Sequence, residues 1–412
     1  MEDTQLYTML LGIKAPWRVT KVKVDMGQGR VDVWIEEAQG TKFLCAVCKQ
    51  EAPVHDHTEE QVWRHLDTCQ LQTFVHARLP RTKCSKDGVK QILSQWAEPR
   101  SQFTRLFESR LIDTLKECDV TGVTRLWETS WDETWSVMQR AVMRGLSRKE
   151  KRVPSHMGVD EKSVGKGHNY ESIICDLDRG TVEYVVDDRE QKSLESYYEQ
   201  FSRVDLEQVE AIAMDMWDPY IAATKAHVPD AEKKIVFDRY HAMTQITKAL
   251  DKVRRSEHKE LVAREDFRLK GTKYLWLWNE ANVPEWRREE FAGIKNAKLK
   301  TSRAWAIKEA LREFWSYAYR KCAEKYFNAW YFWATHSRLS PIIAAARTLK
   351  VHLTNLLTYF THRITNATSE GINSKIQMIK LMACGYRNRE HYKAAIYFHC
   401  GGLDLYPRGE TA

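Results

Sequence analysis

Met157-Gly158-Val159-Asp160-Glu161 is the first of five strand candidates that decide the fold. The others are Tyr170–Asp176, Thr181–Val186, Val209–Met214 and Lys234–Phe237, each short and rich in β-branched or aromatic residues. From residue 156 the order is β-hairpin, strand, helix, strand, helix, strand. Strands alternating with helices imply an α/β sheet. Asp176, Asp178, Asp187 and Asp188 fall in the hairpin turns, where Asp is favoured because it bonds its own backbone, so they are read as structural.

Three other acids sit where chemistry can use them. Asp160 lies in the first strand. Val209-Glu210-Ala211-Ile212-Ala213-Met214-Asp215 puts a second carboxylate at the carboxyl end of a later one. Thr368-Ser369-Glu370-Gly371-Ile372-Asn373 opens a helix with a third. On that helix Glu370, Asn373, Gln377 and Lys380 share one face, while Ile372, Ile376 and Ile379 share another. Three carboxylates from separate elements can hold two divalent cations about 4 Å apart, the arrangement that drives phosphodiester cleavage.

Upstream, Cys45-Ala46-Val47-Cys48 has the spacing at which a turn aims two sulfurs at one metal. A structural zinc needs four ligands. Cys84-Ser85-Lys86-Asp87-Gly88 has the shape of a second knuckle but offers Asp87 where Cys or His is usual, so Cys45, Cys48, Cys84 and Asp87 form the candidate site. His55, His57 and Cys69 compete for the fourth place. Next, Asp119 through Trp127 reads as a short helix, Glu128-Thr129-Ser130 as a turn, and Trp131 through about Arg144 as a second helix. Ser130 and Glu133 have capping-box spacing. Two helices on a three-residue turn are a helix-turn-helix, and the basic finish with Arg140 and Arg144 suits DNA phosphates.

Composition bounds the class. Of 412 residues, 43% are hydrophobic and 29% charged, which excludes a disordered chain. No apolar run approaches the roughly 18–20 residues of a membrane span. The start Met1-Glu2-Asp3-Thr4 lacks the look of a signal peptide, and nine cysteines in so long a chain point to a reducing, cytoplasmic setting. The net charge is only +8, yet residues 242–349 hold 22 basic and 12 acidic residues, so the excess is concentrated there. That segment is helical and holds seven of the 15 tryptophans, which at helical spacing are read as core. Concentrated basicity suggests a polyanion as partner.

The series C-x-x-C ribbon, helix-turn-helix, Gly-Val-Asp-Glu (158–161), Met-Asp-Met-Trp (214–217) with Pro219-Tyr220, Asp-Arg-Tyr-His (238–241) and Glu-Gly-Ile-Asn (370–373) resembles the DDE transposases of bacterial insertion sequences, specifically the ISL-three-like group. The resemblance runs from about residue 40 to about residue 400. It implies a multidomain α+β chain: an RNase H-like α/β catalytic core interrupted by an all-helical insertion and preceded by a zinc ribbon and a helix-turn-helix. The expected ranges are 1–97 for the ribbon domain and 98–152 for the helix-turn-helix. The core occupies 153–241 and 350–412, and the insertion 242–349. Asp215 lies 55 residues after Asp160, and Glu370 lies 155 after Asp215, which leaves room for such an insertion.

The resemblance further implies Asp160, Asp215 and Glu370 as a catalytic triad holding two magnesium ions, for which manganese can substitute. Asp218 and Asp238 are rivals for the second place. In an RNase H-like sheet the first strand neighbours the fourth, whereas Asp238 ends the fifth, one strand spacing of about 4.8 Å further away. Asp215 is therefore preferred. Asp238, His241 and Asn373 are expected to support the triad, Glu161 to face the other side of the sheet, and Arg140, Arg144, Lys380 and Arg387 to touch DNA. The implied function is transposition: binding terminal inverted repeats, cutting 3′ ends by metal-assisted hydrolysis and joining them to target DNA by transesterification. A homodimer or larger assembly on DNA, in the bacterial nucleoid and away from membranes, goes with it. The alternatives are a catalytically silent DNA-binding regulator and a metal-dependent nuclease without strand transfer.

Overall fold

Residues 17–91 fold into two four-stranded sheets that interleave in sequence. The structure is a computed structural model that describes residues 2–164, 170–364 and 367–408. One sheet has the order β1-β2-β6-β5, from Trp17–Asp25, Arg30–Glu37, Leu71–Ala77 and Gln61–Thr68. Its core is Val31, Val33, Ile35, Trp63 and Val75, closed by Trp96 edge-on to Trp17 and Trp63. The other sheet, β3-β4-β7-β8, is two hairpins laid side by side: Lys42–Leu44 with Glu51–His57, and Pro80–Cys84 with Gly88–Gln91.

Three helices follow: α1 (Arg105–Glu117), α2 (Val120–Trp127) and α3 (Trp131–Arg148). Each start is capped by a side-chain oxygen, from Thr104, Asp119 and Ser130, and Ser130 with Glu133 closes the capping box. Glu128 at φ 50° ends α2 in the left-handed conformation that stops a helix. The C-terminal helix Arg389–Cys400 packs on α3. Gly145 permits a close approach there, because a Cβ would stand 2.6 Å from Leu403.

The chain divides into two units, Met1–Glu150 with Ile379–Ala412, and Lys151–Met378. The second is built on a five-stranded sheet in the order β11-β10-β9-β12-β13, from Thr181–Asp187, Tyr170–Asp176, His156–Ser163, Ala211–Met214 and Ile235–Phe237. β9, β10 and β11 are antiparallel, and β12 runs parallel to both β9 and β13. This is the RNase H-like order. Residues 165–169, between β9 and β10, lie outside the described residues. Asp176 behaves as a turn Asp should, accepting from the backbone of Asp178 and Arg179 at 2.9 Å.

Helix α4 (Asp218–His227) follows β12, and α5 (Arg239–Val262) starts directly after β13. The insertion expected from residue 242 therefore has no break at its start, because α5 carries straight through it. Packed along α5 are α6 (Lys300–Arg312) and α7 (Ser340–Val351). Glu257 of α5 accepts from the backbone of Lys300 and Thr301 at 2.7 and 2.6 Å, so a buried carboxylate is satisfied by a helix N-terminus. Trp276, Trp305, Trp315 and Trp330 are core, as their spacing implied, whereas Trp286 is 82% exposed. Helix α8 (Ala367–Met382) buries Ile372 and Ile376. Residues 379–412, expected in the second part of the core, cluster instead with the N-terminal unit. Among the described residues no helix is long and apolar enough to cross a membrane.

Candidate catalytic acids and metal centre

Strand register sets the acids in a row. β12 pairs with β9 so that Ala213 lies opposite Gly158, which brings residue 215 level with residue 160 and, by the two-residue alternation, onto the same face. β12 pairs with β13 so that Met214 lies opposite Phe237, and Asp238 is level in turn. Asp160 on β9, and Asp215 and Asp238 one residue past the ends of β12 and β13, thus stand side by side. Glu161 points the other way, as expected, and is held by Arg189 at 3.1 Å. Burial pushes its carboxyl above the ordinary range despite that arginine. Asp218 begins α4 and takes no part in the row.

Helix α8 lies over this face because Gly158 has no side chain. A Cβ there would meet Ser369 Oγ at 2.3 Å and Leu177 at 2.8 Å. From α8, Asn373 donates Nδ2–H to Asp160 Oδ2. Glu370, one turn earlier on the same polar face, is exposed and lines a cleft of about 710 Å³ together with Asp238. The oxygens of Asp160, Asp215 and Glu370 are not drawn into one tight cage. Among the described residues, the group with donor atoms all within 4.8 Å of one another is the cysteine cluster.

Two further groups tie the row together. His241 Nδ1 is 3.0 Å from Asp215 Oδ2, and its Nε2 is 4.0 Å from Asp238 Oδ2. Burial opposes charge on both partners. The bond and mutual attraction outweigh it, holding the imidazole above its ordinary value and the Asp215 carboxyl below the usual carboxylate range. Asp215 also accepts from Met216 N at 2.6 Å, and Asp238 caps α5 by accepting from Tyr240 N at 3.2 Å. Asn373 thus bonds Asp160, and His241 stands between Asp215 and Asp238.

At the ribbon, the β3–β4 turn presents Cys45 and Cys48, and the β7–β8 turn presents Cys84 and Asp87. Asp87 Oδ2 lies 3.4 Å from Cys45 Sγ and 3.5 Å from Cys84 Sγ, and Cys48 Sγ lies 3.4 Å from Cys84 Sγ. Asp87 pushes the Cys48 thiol up to about 12. Three sulfurs crowded on one carboxylate cannot all ionise unless a cation joins them, so this donor set fits zinc. The competitors are elsewhere: His57 bonds Glu37 at 2.5 Å, and Cys69 is exposed in the β5–β6 turn.

Arg140 and Arg144, expected at DNA phosphates, are engaged within the fold. Both reach inward to Glu108, a fully buried acid of α1, at 3.0 and 2.5 Å. The Arg144 side chain is only 9% exposed. A buried carboxylate needs such partners, and Glu108 falls at core spacing with Phe107, Leu111, Ile112 and Leu115, a pattern visible in the sequence. Lys380 is half-buried with a partner, and Arg387 is exposed.

Three family models match the chain. One described as transposase covers residues 157–396, a zinc-finger of transposase IS204/IS1001/IS1096/IS1165 covers 41–87, and a helix-turn-helix domain of transposase family ISL3 covers 91–142. The chain is 25% identical to the transposase for insertion sequence element IS1001 of Bordetella parapertussis, over 85% of this chain and 87% of that protein. It is 22% identical to the transposase for insertion sequence element IS1557 of Mycobacterium tuberculosis, over 94% and 93%.

Proposed function

The chain belongs to the ISL3 family of insertion-sequence transposases, and on that premise we propose that it cuts the 3′ ends of its element and joins them to target DNA, with Asp160, Asp215 and Glu370 as the acting carboxylates. The observation that carries this is the shared level and face of Asp160 and Asp215 beneath the helix of Glu370. Three all-oxygen donors in an open arrangement suit magnesium, with manganese as substitute, because magnesium keeps several waters and takes further oxygens from substrate phosphates. Bound there, two such ions would activate the attacking oxygen and stabilise the leaving one. The protein's own part is placement: Asn373 fixes the Asp160 carboxylate, and His241 keeps Asp215 ionised and oriented.

The ribbon holds zinc through Cys45, Cys48, Cys84 and Asp87, and together with the helix-turn-helix engages the terminal inverted repeats. Two ends must be handled together, so a dimer or larger assembly forms on DNA. The test is product analysis with a labelled repeat end, a target plasmid, purified protein and magnesium. Cleavage at the repeat boundary followed by joined product is expected. Nicks without joining would leave a nuclease, and tight binding without cleavage in magnesium or manganese would leave a silent regulator.

A further inference from the structure

The cleft lined by Asp238 and Glu370 does not end there. It shares Thr247, Lys248 and Leu277 with a second groove of about 570 Å³ that runs along α5. Tyr240, Thr244, Lys248, Lys252 and Arg255 recur every three or four residues and form one stripe of that helix facing the two hollows. From Tyr240 to Arg255 the stripe is about 22 Å long.

Its chemistry differs from that of the walls around it. Lys308 in the cleft wall is 1% exposed and spends its donors on the Trp278 carbonyl and on Glu309, both at 2.7 Å, and Arg312 pairs with the same Glu309. Those cations hold the fold. Lys248 and Lys252 are exposed, and among the described residues neither makes an ion pair, while Lys273 adds an exposed charge across the groove. Like charges four residues apart repel and cost a helix a few tenths of a kcal/mol. A polyanion would turn that repulsion into attraction. Tyr240 adds a ring that is 65% exposed at the end nearest the acids. A base stacks on such a ring only when it is unpaired.

We propose that this groove holds a single DNA strand leaving the row of acids along α5, with its phosphates on Lys248, Lys252 and Lys273 and an unpaired base against Tyr240. The proposal rests on the catalytic reading for where the strand begins. The test uses the full zinc-loaded chain without magnesium or manganese, titrated with labelled oligothymidine and, separately, with blunt duplex repeat, at several salt concentrations. Replacing Lys248→Gln and Lys252→Gln together should weaken single-strand binding about tenfold or more and flatten its log–log salt slope by about 1.4, two phosphates at about 0.7 each. Tyr240→Ala should weaken it about tenfold, with Tyr240→Phe close to the parent. Duplex binding should not change. Unchanged single-strand affinity and slope would overturn the proposal, and so would an equal loss for duplex. Cleavage plays no part in these titrations, so a chain that fails to cut would count against the catalytic reading alone.

Discussion

Burial pushes the imidazole of His65 down to about 4, with Arg64 adding to the effect, and its Nδ1 meets Thr104 Oγ1 at 2.9 Å. A folded value below the ordinary 6.5 means that the unfolded chain takes up a proton the folded one refuses. Stability is then complete above pH 6.5 and lost as pH falls toward 4, by about 3 kcal/mol in all. The gap in urea-unfolding free energy between pH 7 and pH 5 should shrink by about 2 kcal/mol in His65→Gln, and an unchanged gap would contradict the assignment. Arg144 gives a second residue-level test. Arg144→Ala takes from the buried Glu108 one of its two arginines, leaving Arg140, and should cost about 1–3 kcal/mol of stability while leaving the salt slope of duplex binding alone. Arg387→Ala should spare stability and flatten that slope by about 0.9. Asp215 was legible from its place at a strand end. The inward turn of Arg144 was not, because burial of Glu108 depends on packing that no local pattern displays.

At the scale of elements, the two knuckles are set by their hairpins, and sequence spacing pointed to Cys45, Cys48 and Cys84 because a turn between paired strands is a local structure, while Asp87 had rivals for the fourth place. Asp87 is the weak member, a hard oxygen among soft sulfurs. Asp87→Cys should therefore tighten zinc in a chelator competition, and equal or weaker binding would remove Asp87 from the site. The packing of α8 on β9 depends on Gly158. Gly158→Val must lift the helix that carries Glu370, costing about 1–3 kcal/mol and lowering end cleavage at least tenfold with duplex binding retained. Full cleavage by that variant would detach the helix position from the chemistry. The glycine was visible in Gly-Val-Asp-Glu, but its reason lies in Ser369 and Leu177, distant in sequence from it.

For the whole molecule, the alternation of strands and helices follows from local periodicity, whereas the strand neighbours and the helical insertion came from the family resemblance, with which the interval between Asp215 and Glu370 agrees. Long-range packing adds what no local pattern displays. The insertion has no boundary at 242 because α5 runs through it, and residues 379–412 cluster with the N-terminal unit through contacts such as Gly145 with Leu403. On the proposed function, Asp160, Asp215 and Glu370 act and their neighbour Asp238 does not. The direct measurement is cleavage of a labelled repeat end by Asp160→Asn, Asp215→Asn, Glu370→Gln and Asp238→Asn, each at matched duplex binding. The first three should lose cleavage by several orders of magnitude, and Asp238→Asn should retain a measurable fraction. Cleavage surviving in Asp215→Asn and vanishing in Asp238→Asn would put Asp238 in the triad instead of Asp215.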